Sequence, residues 1–175
     1  MGICNGFQVL CESGLLPGAL VRNRSLKFVC RDAHLRVESV ANPFANLAAA
    51  GDVWRIPVKH GEGCYVADAA TLDRMERDGL ILLRYCRPDG SRTERPNEAP
   101  ESDNGSPDGG YNPNGSVRDI AGIMNAARNV FGLMPHPEHA ADPRLESATR
   151  EGVLIPDGLR IFRSIANWVS EARAK

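Results

Sequence analysis

The chain opens on Met1-Gly2-Ile3-Cys4-Asn5-Gly6-Phe7-Gln8, a cysteine set between small residues just ahead of helix formers. That run constrains the fold more than anything after it. A nucleophile held on a tight turn needs a strand running in and a helix running out. Gly2 and Gly6 stand where a Cβ would obstruct a sharp bend or a close backbone approach. Phe7, Val9, Leu10 and Cys11 predict one short helix, stopped at Ser13-Gly14. The feeding strand is reduced to Met1-Gly2-Ile3.

With 175 residues the chain is long enough to bury a real core, and it has the size of one common domain. A near-balance of 21 basic and 22 acidic residues favours neither nucleic acid nor an anionic membrane as partner. No apolar run reaches membrane-spanning length, and the N-terminus lacks the pattern of a secretory signal. A soluble, cytoplasmic chain is the economical reading. Cys4, Cys11, Cys30, Cys64 and Cys86 are an odd number without a C-x-x-C pair. That argues against a disulfide framework and against structural zinc, and no metal site is expected.

Along the chain, Leu15 to Leu20 reads as a turn and connector, and Leu26 to Val40 as one or two antiparallel strands. Leu47 to Ala50 suggests a helical turn ending at Gly51. Val53 to Val58 is a strand leading into His60-Gly61-Glu62-Gly63. Thr71 to Gly79 predicts a short helix with Thr71 as N-cap and Gly79 in the left-handed position beyond its end. Leu80 to Cys86 is an apolar strand. Residues 87–110, rich in proline, glycine and charge, predict a flexible surface insertion. Ile120 to Met124 and Asn129 to Met134 form two further strands around a turn at Asn125 to Arg128. Asp157 to Ala174 carries apolar residues at helical spacing, with Asp157 as N-cap.

A second cluster of chemistry lies in Met134-Pro135-His136-Pro137-Glu138. Pro137 pushes the backbone of His136 toward an extended form, and in extended chain residues two apart share a face. Glu138 therefore reaches the imidazole of His136, orients it and stabilises its protonated form. If that ring also meets Cys4, the set is nucleophile, base and orienter. A histidine can take the thiol proton and return it to a departing amine. The amide of Asn5, at the start of the following helix, is placed to stabilise an oxyanion. His34 and His139 lack a partner pattern, and the His60 loop reads either as a site loop or as a plain turn.

Together, Gly-Ile-Cys-Asn-Gly-Phe-Gln and the distant His-Pro-Glu resemble the class I, triad-type glutamine amidotransferases. More narrowly they are similar to the family of glutaminase subunits of phosphoribosylformylglycinamidine synthase, which act in de novo purine biosynthesis. The resemblance runs through Gly2 to Leu10, Leu15 to Asn23, His60 to Gly63, Asn112 to Ser116, Asp119 to Ile123, and Arg128 to Glu138. The His-Gly-Glu-Gly and Asn-Pro-Asn-Gly-Ser stretches are what select this branch.

The resemblance implies a doubly wound, flavodoxin-like α/β fold with an added antiparallel β portion. It makes residues 1–175 the C-terminal part of a single type 1 glutamine amidotransferase domain. It assigns Cys4, His136 and Glu138 to catalysis, and Asn5, Gln8, His60, Gly61 and Glu62 to the glutamine substrate. No cofactor is implied for this subunit. ATP and magnesium serve a synthetase partner, which receives the ammonia, and a small bridging subunit commonly joins the two. Two or three βα units, roughly 60 to 90 residues, are expected to precede the nucleophile turn in such a fold. A chain lacking them is expected to be unstable or inactive by itself. Arginine is more usual in the family where His139 follows Glu138. An inactive remnant that only binds its partner, or the amidotransferase component of another synthetase, are the alternative readings.

Overall fold

A computed structural model describes residues 1–92, 110–145 and 155–174, and its strands form a curled mixed sheet between helices. Eight strands are present among the described residues: β1 Gly2–Ile3, β2 Ala19–Val21, β3 Val29–Val37, β4 Val53–His60, β5 Cys64–Val66, β6 Ile81–Cys86, β7 Ile120–Met124 and β8 Phe131–Leu133. The helices are α1 Asn5–Glu12, α2 Ala69–Arg77 and α3 Asp157–Arg173. Six strands make one sheet in the order β1-β8-β7-β6-β3-β4, while β2 and β5 pair as a separate ribbon. The chain is thus α/β, and the antiparallel portion dominates what is described. Among the described strands only β1 and β8 run parallel, with Gly2 opposite Gly132 and Ile3 opposite Leu133.

Two apolar clusters lie on the two faces of the sheet. One joins α1 and α2 through Phe7, Leu72 and Met75 to Tyr65, Ile81 and Ile123. The other joins α3 through Ile161 to Trp54, Leu83, Tyr85 and Phe131. β6 is buried along its whole length, so its residues feed both clusters. Arg84 and Tyr85 leave opposite faces of this strand, as successive strand residues do. The Arg84 guanidinium bonds Glu76 of α2 and the carbonyl of Arg118, both at 2.5 Å.

Several sequence expectations shift in detail. The cap of α2 is Asp68, not Thr71: the Asp68 carboxylate accepts the Thr71 N–H at 2.9 Å, and the helix starts two residues before Thr71. Such a cap contributes about 1 kcal/mol. Gly79 does take the left-handed conformation, at φ +62°. At α3 the capping position is Pro156, and Asp157 is already helical. Its carboxylate instead accepts the Arg55 N–H of β4 at 2.8 Å and pairs with Arg160. Leu47 to Ala50 belongs to a series of turns and not to a helix. The expected connector Leu15 to Leu20 already contains the start of β2. Most of the expected 87–110 insertion falls outside the described residues. No described helix is long and apolar enough to cross a membrane.

Candidate active site

Parallel pairing of β1 and β8 brings the two catalytic candidates together. Both strands end on the same side of the sheet, β1 running into Cys4 and β8 into Met134-Pro135-His136. The Cys4 N–H continues the ladder to the Leu133 carbonyl at 2.9 Å. The chain then turns sharply: Cys4 has φ +51° and ψ −109°, a conformation strained for any residue with a Cβ. Its carbonyl accepts the N–H groups of Phe7 and Gln8, which starts α1. At Gly2 an added Cβ would lie 2.5 Å from the Gly6 carbonyl oxygen, which accounts for the first glycine. Gly6 differs from expectation, because a Cβ there would meet nothing within 4 Å.

His136 follows the restraint set by Pro137, with φ −105° and ψ 85°. Its N–H donates to the Pro57 carbonyl of β4 at 2.8 Å, which pins the segment to the sheet. Nδ1 lies 2.6 Å from Glu138 Oε1, so the imidazole and the carboxylate do point together. Nε2 is buried and makes no hydrogen bond of good geometry with a described group. The Cys4 thiol is the largest influence raising the His136 pKa, followed among the raising influences by the Glu138 carboxylate, while burial acts against both. Residues 137–140 close a single 3-10 turn under this pair. The start of α3 presses on that turn: a Cβ on Gly158 would sit 2.0 Å from the Pro137 carbonyl oxygen.

Cys4 and His136 share one recess of about 350 Å³ with Asn5, Gln8, Phe28, Lys59, His60, Gly61 and Glu62. All five residues expected to contact substrate are therefore brought to the same hollow. They do not stand alike within it. Gln8 donates from Nε2 to the Glu62 carbonyl at 3.2 Å, tying α1 to the glycine loop. His60 is 3 % exposed and has both ring nitrogens engaged inside the protein, by Asn23 and Asn114. Burial lowers its pKa to about 4, with the neighbouring charge of His136 acting in the same direction.

Two lining residues were not singled out by sequence. Phe28 is 68 % exposed at the rim. Lys59 lies one residue before His60, and its ammonium is 3.3 Å from His139 Nε2. His139 also stands 3.7 Å from Glu138, so the residue without a sequence pattern belongs to the site's edge. His136, Glu138 and His139 are the one set of three among the described residues whose possible metal-ligand atoms lie within 4.8 Å of one another. Glu138 and Lys59 already engage the two ring nitrogens concerned.

Comparison with known proteins gives a consistent result. The CobB/CobQ-like glutamine amidotransferase domain family matches residues 1–169. Phosphoribosylformylglycinamidine synthase subunit PurQ of Thermosynechococcus vestitus is 52 % identical over 94 % of this chain and 61 % of its own length. The subunit of that name from Salinibacter ruber is 49 % identical, over 97 % of this chain and 62 % of its own length. Among solved structures, PurLQS from Thermotoga maritima superposes with a TM-score of 0.67 at 38 % identity, covering 97 % of this chain and 61 % of that one. The chain spans about three fifths of the length of these relatives.

Proposed function

The chain belongs to the CobB/CobQ-like glutamine amidotransferase family, and from that membership we propose that it is the glutaminase component of a phosphoribosylformylglycinamidine synthase. The observation that carries the proposal is the Cys4 turn beside an imidazole whose far nitrogen is held 2.6 Å from Glu138. Cys4 is the nucleophile, His136 the acid and base, and Glu138 the group that fixes the ring and supports its charge.

In the first half-reaction the Cys4 proton passes to His136 Nε2, and the sulfur bonds to the carboxamide carbon of glutamine. The Asn5 amide, at the start of α1, faces the oxyanion that develops. As the C–N bond breaks, the imidazolium protonates the leaving nitrogen and ammonia departs. The γ-glutamyl thioester is then hydrolysed by a water that His136 deprotonates, and glutamate leaves. Gln8, Gly61 and Glu62 hold the substrate in the recess. Ammonia passes to a synthetase subunit, where ATP and magnesium are used, and a small bridging subunit joins the two. The PurLQS assembly named among the structural relatives supports that partnership.

An electrophilic glutamine analogue tests the site. It is expected to modify Cys4, located by peptide mass spectrometry; Cys4→Ala is expected to abolish modification and His136→Ala to slow it severely. Glutamine-dependent amidine synthesis with the purified synthetase is the companion assay. A wild-type chain that the analogue ignores while iodoacetamide alkylates Cys4 would overturn the proposal.

A further inference from the structure

The two stretches that select this branch of the family, His60 to Gly63 and Asn112 to Ser116, meet beneath the recess in one buried network. The hydrogens on its two amides and on the imidazole each have a defined place. Asn23 Nδ2 lies 2.8 Å from the carbonyls of Lys27 and His60, which only accept. Asn23 Oδ1 is therefore the acceptor, both for the Gly63 N–H and for His60 Nδ1, each at 3.0 Å. His60 Nδ1 must carry the ring hydrogen. At the other end the Ser116 N–H donates to Asn114 Oδ1 at 3.0 Å, and the Ser116 hydroxyl lies 2.7 Å from the same oxygen. Asn114 Nδ2 is then the donor, facing His60 Nε2 at 3.4 Å and the Tyr85 hydroxyl at 3.1 Å. His60 Nε2 must present a lone pair. A second ring proton would point at an NH2 group that has no lone pair to offer.

The network clamps the glycine loop from below. Asn23 N–H bonds the Gly61 carbonyl at 2.9 Å, and Ser116 Oγ lies 3.3 Å from the Gly63 carbonyl. The loop rests directly on the imidazole, since a Cβ on Gly63 would lie 2.6 Å from Nδ1. Asn112 Oδ1 holds the opposing loop by accepting the N–H groups of Asn114 and Gly115. With its underside occupied, the Gly61–Gly63 backbone offers the recess its other face.

We infer that His60 is a positioning residue and does not itself touch the reacting atoms. It is a neutral, Nδ1–H imidazole that, with Asn23, Asn114 and Ser116, holds the Gly61–Gly63 loop in the shape that receives glutamine. The inference rests on the glutaminase reading for the ligand, and on geometry alone for the proton.

Two measurements on the full chain separate those supports. Ring-nitrogen chemical shifts of His60 should report the neutral Nδ1–H tautomer at pH 7 and keep it at pH 5. The Nε2–H tautomer, or titration near the ordinary histidine value, overturns the inference whatever the activity. In the second measurement Cys4 is labelled with the electrophilic glutamine analogue and, in parallel, with iodoacetamide. His60→Leu and Asn114→Leu should raise the analogue concentration for half-labelling about tenfold, the effect of losing one buried hydrogen bond or so. Iodoacetamide labelling should stay unchanged, which a collapsed site would not allow. His60→Asn keeps a donor toward Asn23 and should recover most of the loss. Variants labelled by the analogue as readily as wild type remove the positioning role while leaving the glutaminase reading standing. A wild type that ignores the analogue removes that reading instead.

Discussion

Two histidines face the same recess and are prepared for opposite duties. His136 meets a carboxylate at Nδ1 and a thiol beyond Nε2, and its pKa is raised. His60 meets two amides under a buried loop, and its pKa falls to about 4. The side chain is the same in both places, so the difference lies in the partners. Anionic or ionisable partners make a ring that exchanges protons; neutral amides with fixed donors make one that does not. On the proposed reading the site uses both kinds, one for chemistry and one for shape.

Removing His136 is the most severe way to probe this contrast. His136→Ala should lower the rate of Cys4 modification by the analogue about a thousandfold, within the range for general acid–base groups. An equal loss in His60→Ala, with no change in half-saturating concentration, would break the distinction.

Acid stability comes next. A folded-state pKa lowered from 6.5 to about 4 means that His60 resists charging in the folded protein. Its stabilising contribution is full above pH 6.5 and is lost as pH falls toward about 4. The loss amounts to about 3 kcal/mol across that window. His136 has the reverse sign: its contribution is full below the unfolded value and is lost as pH rises through its raised folded value. Denaturant melts of wild type and His60→Asn from pH 7 to pH 4 should therefore converge on the acid side. Parallel curves would show that His60 is not the group responsible.

Glu138→Gln is the mildest of the three. Glu138 is 42 % exposed at its side chain, so water screens part of its effect. The change should bring the His136 pKa down toward the ordinary value, followed by its ring resonances. Analogue labelling at neutral pH should slow about tenfold, at the mild end of what weakening a general acid–base group costs. An unchanged titration would mean that Glu138 orients the ring without charging it.

Much of the candidate catalytic grouping could be read in the chain because it is local. Cys4 lies between strand and helix, and His136 and Glu138 lie two residues apart with prolines enforcing the geometry. The strands from Val53 to Cys86 and the pair around Asn125 to Arg128 were visible for the same reason, as local apolar patterns. What stayed hidden depends on distance. The setting of the His60 ring is fixed by Asn23 and Asn114, which lie 37 and 54 residues away. Asp157 resembles an N-cap until Arg55, 102 residues earlier, claims its carboxylate. Asp68 displaced Thr71 as cap because an aspartate just ahead of the helix accepts the same N–H that a threonine cap would leave unmet. Phe28 alternates with its polar neighbours as a core residue would, yet it stands exposed just ahead of β3.

The buried amide of Asn114 has a consequence for the chemical lifetime of the protein. In a loose chain, asparagine followed by glycine is prone to spontaneous deamidation: the next backbone nitrogen closes on the side-chain carbonyl carbon, and ammonia is expelled. Here Asn112 holds the Gly115 N–H at 2.9 Å, and Ser116 holds Asn114 Oδ1 from both its N–H and its hydroxyl. The attacking nitrogen is kept from the carbon it would need. Peptide mapping of aged samples should find Asn114 intact in the folded protein and converted to acid in the unfolded one. A site proposed to strip ammonia from glutamine thus rests on an amide that its own fold keeps from the same fate.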